Sequence, residues 1–161
     1  MKIRIGAAIA VTIALVFSIT AAPAQASGGI TKGTTVRGSA YYQLTSTVPG
    51  FFQFGVNLPG RARNALTPAD VNFAPDAFSA TTDDDASCTG NYILPTAPPG
   101  KVCLYLWPAA PLSPNVVSVT AGGDAPASPE FSRSSFWISW STGASATSAV
   151  YLYARWAYTA P

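Results

Sequence analysis

The 161-residue chain offers few side chains able to hold a metal, move a proton or attack a bond. Its densest charge is the run Asp83-Asp84-Asp85. Adjacent carboxylates repel unless something neutralises them, and hard oxygen ligands suit Ca²⁺, so a calcium site is one reading. The spacing is not the alternating D-x-D-x-D-G of a calcium loop, and Thr81, Thr82, Ser87 and Thr89 surround the run with solvated-loop chemistry, which is the reading preferred here. Asp70, Asp76, Asp124 and Glu130 are the carboxylates on which a two-carboxylate hydrolase could draw. Asp124 lies in the turn-forming stretch Gly122-Gly123-Asp124-Ala125-Pro126, and no spacing singles out a pair. Histidine is absent, which excludes His-based triads, His proton shuttles and His-containing zinc sites. Gly143-Ala144-Ser145-Ala146 is not a G-x-S-x-G elbow, and no histidine could activate Ser145. The expectation is a protein without catalytic residues and without a cofactor.

Two cysteines, Cys88 and Cys103, are too few for a Cys-rich zinc site and too far apart for a C-x-x-C redox pair. Their meaning depends on the compartment. Lys2 and Arg4 precede an apolar stretch, Ile5 to Ala22, and Ala24-Gln25-Ala26 offers a small-residue cleavage site before Ser27. Residues 1–26 therefore read as a signal peptide and the protein as secreted, with the membrane touched only through that leader. An uncleaved anchor is the alternative, but the stretch is short and interrupted by Gly6, Thr12, Ser18 and Thr20. In an oxidising compartment an even pair of cysteines forms a disulfide, so Cys88–Cys103 is expected to be bridged.

Removing the leader takes Lys2 and Arg4 with it, leaving seven basic and seven acidic side chains. Nothing in that balance attracts nucleic acid or an anionic membrane. Charged residues make up 10 % of the chain, well below the roughly 25 % of a typical globular protein, which favours self-association.

The elements that must position any site are strands. Prolines and glycines interrupt the mature chain every few residues, and no window shows a capped 3.6-residue period. Period-two alternation recurs instead. Phe52, Phe54, Val56 and Leu58 share one face of a strand against Gln53, Gly55 and Asn57. Val36, Ala40, Tyr42 and Leu44 oppose Arg37, Ser39 and Gln43, and Pro49-Gly50 between these two runs suggests a hairpin. Val71–Phe73, Lys101–Trp107, Val116–Thr120, Ser135–Ser141 and Ser148–Tyr158 supply the rest. Seven or eight short strands predict one all-β domain over 34–161, an antiparallel β-sandwich or jelly roll, after a flexible start at 27–33. Residues 76–100 and 108–114 read as long loops.

Alternation also places the aromatics. Phe136, Ile138 and Trp140, and Val150, Leu152, Ala154, Trp156 and Tyr158, are core by parity. Trp137, Tyr151, Tyr153 and Arg155 face the other way. If the last two strands form a hairpin, Trp137 stands across from Tyr151 or Tyr153, and the four residues make a ligand-binding platform. The alternative is that the loop over 76–100, tied down by the disulfide, covers this face as a second small core.

Pro99-Gly100-Lys101-Val102-Cys103-Leu104-Tyr105 and the terminal Trp156-Ala157-Tyr158-Thr159-Ala160-Pro161 resemble the P-G-x-x-C-[LV]-Y and W-x-x-T-A-P patterns of small secreted proteins of high-GC Gram-positive bacteria, a functionally uncharacterised group. The resemblance covers roughly the last 65 residues. It implies a secreted β-domain and no catalytic residue. The expected function is binding: a surface, a polysaccharide or another protein. The alternatives are a stand-alone carbohydrate-binding module, an inhibitor or antagonist toxin presenting the Pro108–Pro114 loop, and a two-carboxylate hydrolase.

Overall fold

A computed structural model describes residues 28–45, 50–75, 81–108, 116–125, 127–143 and 149–161. The expected leader, Asp76, most of the Pro108–Pro114 stretch and Ser145 lie outside them. Strands β1 (Thr35–Thr45), β2 (Phe51–Asn57), β3 (Val71–Phe73), β4 (Val102–Leu106), β5 (Val116–Gly122), β6 (Ser135–Thr142) and β7 (Ala149–Thr159) form two sheets. One has the order β1-β7-β4-β3 and the other β2-β6-β5. All pairs are antiparallel except β3–β4, whose parallel crossover runs through the disulfide loop rather than a helix. The fold is the expected all-β sandwich, with seven strands among the described residues.

Both expected hairpins are corrected. β1 pairs with β7 and β2 with β6, so β1 and β2 belong to different sheets, as do β6 and β7. Alternation reveals which face of a strand is buried, but a strand beside its neighbour and a strand across the core from it bury the same face. Tyr42 of β1 stacks on Phe54 of β2 at 5.4 Å between ring centres, across the core. Phe136 of β6 meets Trp156 of β7 edge-on at 5.6 Å, again across the core. The fully buried Trp140, Tyr158, Phe73, Phe136, Ile138 and Leu152 fill the space between the sheets.

Residues 28–33, expected as a flexible start, make backbone contacts with the body of the domain. Ile30 is buried, its N–H donates to the Arg61 carbonyl at 2.8 Å, and the Gly33 N–H donates to the Ala160 carbonyl at 2.8 Å. The two stretches that carry the resemblance meet in space. Gly100, at φ +87°, makes the turn into β4, and its N–H donates to the Thr159 carbonyl at 2.8 Å. The Thr159 hydroxyl donates to the Ala97 carbonyl at 2.7 Å.

Cys88 and Cys103 are joined in a disulfide. Together with Ala74 and Tyr105 they form a second, smaller core against which Tyr92 and Ala97 lean. All five residues of β4 are buried, because the main core lies on one side and this loop on the other. Among the described residues no helix is long and apolar enough to cross a membrane.

The acidic run laces one side of the sandwich. The Thr82 N–H donates to the Val119 carbonyl at 3.1 Å and the Asp85 N–H to the Phe73 carbonyl at 2.8 Å, so the segment binds the edges of both sheets. The carboxylates go to separate partners. Asp83 Oδ2 accepts from the Ala121 N–H at 2.8 Å and the Thr120 hydroxyl at 3.2 Å, and Asp85 pairs with Lys101. Among the described residues no three such groups converge as metal ligands.

The two carboxylates shift in opposite directions. Burial pushes the Asp83 pKa up, outweighing its two donors, and its Oδ1 is buried without a partner. Lys101 and Ser87 pull Asp85 down to about 2. A raised carboxyl stabilises the fold below the ordinary carboxylate range and loses that contribution as pH rises through its folded value. A lowered one stabilises it above that range and loses the contribution as pH falls through about 2. Carboxyl NMR titration should give an Asp83 midpoint above the ordinary value and an Asp85 midpoint near 2. Lys101→Ala should cost about 1 kcal/mol at neutral pH, the scale of a partly exposed pair, and should return Asp85 toward the ordinary range. Indistinguishable midpoints would refute this assignment.

Candidate functional site

The loop over 81–100 covers only half of the outer face of the four-stranded sheet. It lies over β3 and β4 and over the Ala157–Thr159 end of β7, where Ala157 and Thr159 are buried, and leaves the outward side chains of Ser39–Gln43 on β1 and Tyr151–Arg155 on β7 accessible. The platform and the second core therefore share that face.

The register sets the outer face of β1 and β7. Outward-facing Arg37, Ser39, Tyr41 and Gln43 of β1 stand opposite Ala157, Arg155, Tyr153 and Tyr151 of β7. Beyond β7, the Trp107 N–H donates to the Tyr153 carbonyl at 3.1 Å, which brings the indole alongside. Tyr153 is the hub. Its ring centre lies 4.7 Å from Tyr41, 5.4 Å from Tyr151 and 5.6 Å from Trp107. Tyr41 and Trp107 are 54 % and 38 % exposed, while Tyr151 and Tyr153 are half-buried. The Tyr41 hydroxyl donates to Gln43 Oε1, and hydrogen bonding with Tyr153 pushes the Tyr41 pKa up.

The rim of the disulfide loop closes the site on one side. The Arg155 guanidinium sits 5.0 Å from the centre of the Tyr92 ring. The Arg37 Nε–H donates to the Pro95 carbonyl at 2.7 Å. The buried Tyr105 fixes the base of the loop, its hydroxyl donating to the Thr96 carbonyl at 2.6 Å and accepting from the Gly90 N–H at 3.0 Å. Tyr92 divides two hollows. One, of about 300 Å³, lies between it, Ser39, Tyr41 and Tyr153. The other, of about 480 Å³, runs under the loop past Cys88, Asn91 and Tyr105.

Of the four residues expected in the platform, the structure brings together Tyr151, Tyr153 and Arg155. Trp137 is corrected. It lies on the outer face of the other sheet, between Gly55 and Gly122 in register, half-buried. It occupies the place a Gly122 side chain would take, since a Cβ there would fall 2.6 Å from the indole. The assumed hairpin put it on the wrong sheet. Tyr41, Trp107 and Tyr92 were missed as members. Tyr41 and Trp107 have outward parity in the sequence, but only the order β1-β7-β4 joins them to Tyr153.

Two of the other candidate carboxylates, Asp70 and Glu130, have structural partners. Asp70 Oδ2 accepts from the Thr67 N–H at 2.9 Å and the Thr67 hydroxyl at 2.6 Å, and Glu130 pairs with Arg61. No protein-family model, curated protein or solved structure matches the chain.

Proposed function

We propose that this is an exported, non-catalytic binding protein, and that a polysaccharide chain seats on the uncovered part of the four-stranded sheet, around Tyr41 and Tyr153. The observation that carries this reading is the row Tyr41–Tyr153–Trp107, laid across β1, β7 and the residue that follows β4, with its rings in contact. Rings presented on a rigid sheet stack on the C–H faces of sugars, and Tyr tips with Ser39 and Gln43 supply hydrogen bonds to hydroxyls. The signal-peptide pattern and the disulfide support export.

A second reading, a protein partner, is favoured by one feature. Asn91 Oδ1 accepts from the Ile93 and Leu94 N–H groups at 2.9 Å each, holding two aliphatic side chains out at 84 % and 60 % exposure.

A glycan array and polysaccharide pull-down with the mature chain test the proposal. Tyr153→Ala should weaken polysaccharide binding at least tenfold, with Ile93→Ser leaving it unchanged. Loss of a protein partner on Ile93→Ser, with no glycan bound by either form, would replace the first reading with the second.

A further inference from the structure

We infer that the polysaccharide bound on this face is acidic and carries its charge as carboxylates on the sugar rings. This rests on the binding reading above and adds the class of ligand. The mature chain is neutral overall, but its charges are segregated. No Asp or Glu occurs in β1, β3, β4 or β7, nor in residues 86–100 of the covering loop. The acidic groups that have been placed lie elsewhere: Asp83 at the β5 edge, Asp85 on Lys101, Asp70 on Thr67 and Glu130 on Arg61.

Against that acid-free sheet stand two arginines. Arg37 is opposite Ala157 and Arg155 opposite Ser39, so they are diagonal neighbours on the outer face, about 7–8 Å apart by sheet geometry. Both are exposed, and neither has a carboxylate partner among the described residues. Each is positioned by an uncharged contact, Arg37 through Nε to Pro95 and Arg155 over Tyr92. These contacts orient the guanidiniums and leave their charge uncompensated. The hollow between Tyr41, Tyr153 and Tyr92 lies beside Arg155. A ring stacked on Tyr41 and Tyr153 would place an equatorial carboxylate within reach of it, and a guanidinium fork matches a carboxylate in two parallel hydrogen bonds. A polyol-phosphate chain would bring the anion without a ring for the aromatic row. A carboxylated sugar brings both in one residue.

The test uses polygalacturonate, alginate and hyaluronate, each alongside its carboxyl-reduced counterpart, with polyglycerol phosphate as the ringless anion. At least one acidic polymer should bind tenfold or more tightly than its reduced form. That preference should fade between 0.1 M and 1 M salt, where the screening length falls from about 10 Å to 3 Å. Arg155→Gln should abolish the preference, and Arg155→Lys should restore only part of it, both variants melting like the wild type. If reduced and acidic chains bind alike, Arg155→Gln changes nothing and Tyr153→Ala still removes binding, the acidic inference is overturned and the sugar face stands. If polyglycerol phosphate binds as tightly as the best acidic polymer, the carboxylate is the wrong anion. If no polymer binds and Tyr153→Ala has no effect on the array, the polysaccharide reading itself falls.

Discussion

Trp156→Ala will destabilise the fold by about 3–5 kcal/mol, the range for truncating a buried aromatic, and lower the melting temperature by roughly 10–20 °C for a domain of this size. Trp156 is 3 % exposed. It faces Gly38 on β1 and Leu104 on β4, and packs edge-on against Phe136 of the opposite sheet at 5.6 Å. It thus joins three strands of one sheet and touches the other. Gly38 has no side chain because the indole occupies its place: a Cβ there would lie 2.4 Å from the Trp156 ring. Gly38→Ala should therefore cost about 1–3 kcal/mol by overpacking. In the double variant the new methyl moves into the space the indole left, so the combined loss should fall short of the sum. The Trp156 Nε1–H is buried without an acceptor, so Trp156→Phe, which removes that unpaired donor, should cost much less than the alanine. Thermal melts on the four variants decide this. A Trp156→Ala protein melting within a few degrees of the wild type would contradict the packing described.

The second large effect belongs to the disulfide. Cys88 and Cys103 are 15 residues apart, and closing a loop of that length stabilises by about 3 kcal/mol in the chain-entropy model. Both sulfurs sit in the smaller core under the loop, with Cys103 fully buried. Cys88→Ala/Cys103→Ala should lower the melting temperature by about 10 °C, and the damage should be local. Hydrogen exchange should lose protection over residues 86–100 while β6 and β7 keep theirs, because the main core makes no use of the bridge. Tyr105, Arg37 and the Lys101–Asp85 pair remain as tethers, so the loop should loosen rather than detach. Uniform loss of protection across both sheets would show that the two cores are not independent. The variant should also bind glycan less well, since Tyr92 and the orientation of Arg155 depend on the loop.

How far the sequence could be read depended on whether one strand's own pattern carried the information. Inward faces were legible because alternation is a property of a single strand: Phe52, Phe54 and Val56, and Leu152, Ala154 and Trp156, all point into the core as their parity requires. The bridge was legible because only two cysteines exist. Strand partners were not legible. Thr45 and Phe51 are close in sequence, and so are Thr142 and Ala149, yet each short connection passes from one sheet to the other. That error moved Trp137 into the site and kept Tyr41 and Trp107 out of it. The extent of loop cover was also hidden. It depends on Tyr105 reaching the backbone of Gly90 and Thr96, contacts that no local pattern announces.

The central claim is that ligand meets the Tyr153 face and not the opposite sheet, and two tryptophans report on it directly. Trp107 borders Tyr153, while Trp137 lies on the outer face of the three-stranded sheet. The measurement is an NMR titration of the tryptophan indole N–H signals with the tightest-binding polysaccharide. The Trp107 signal should shift progressively to saturation while the Trp137 signal stays in place. Movement of Trp137 with Trp107 unchanged would contradict the assignment of the site.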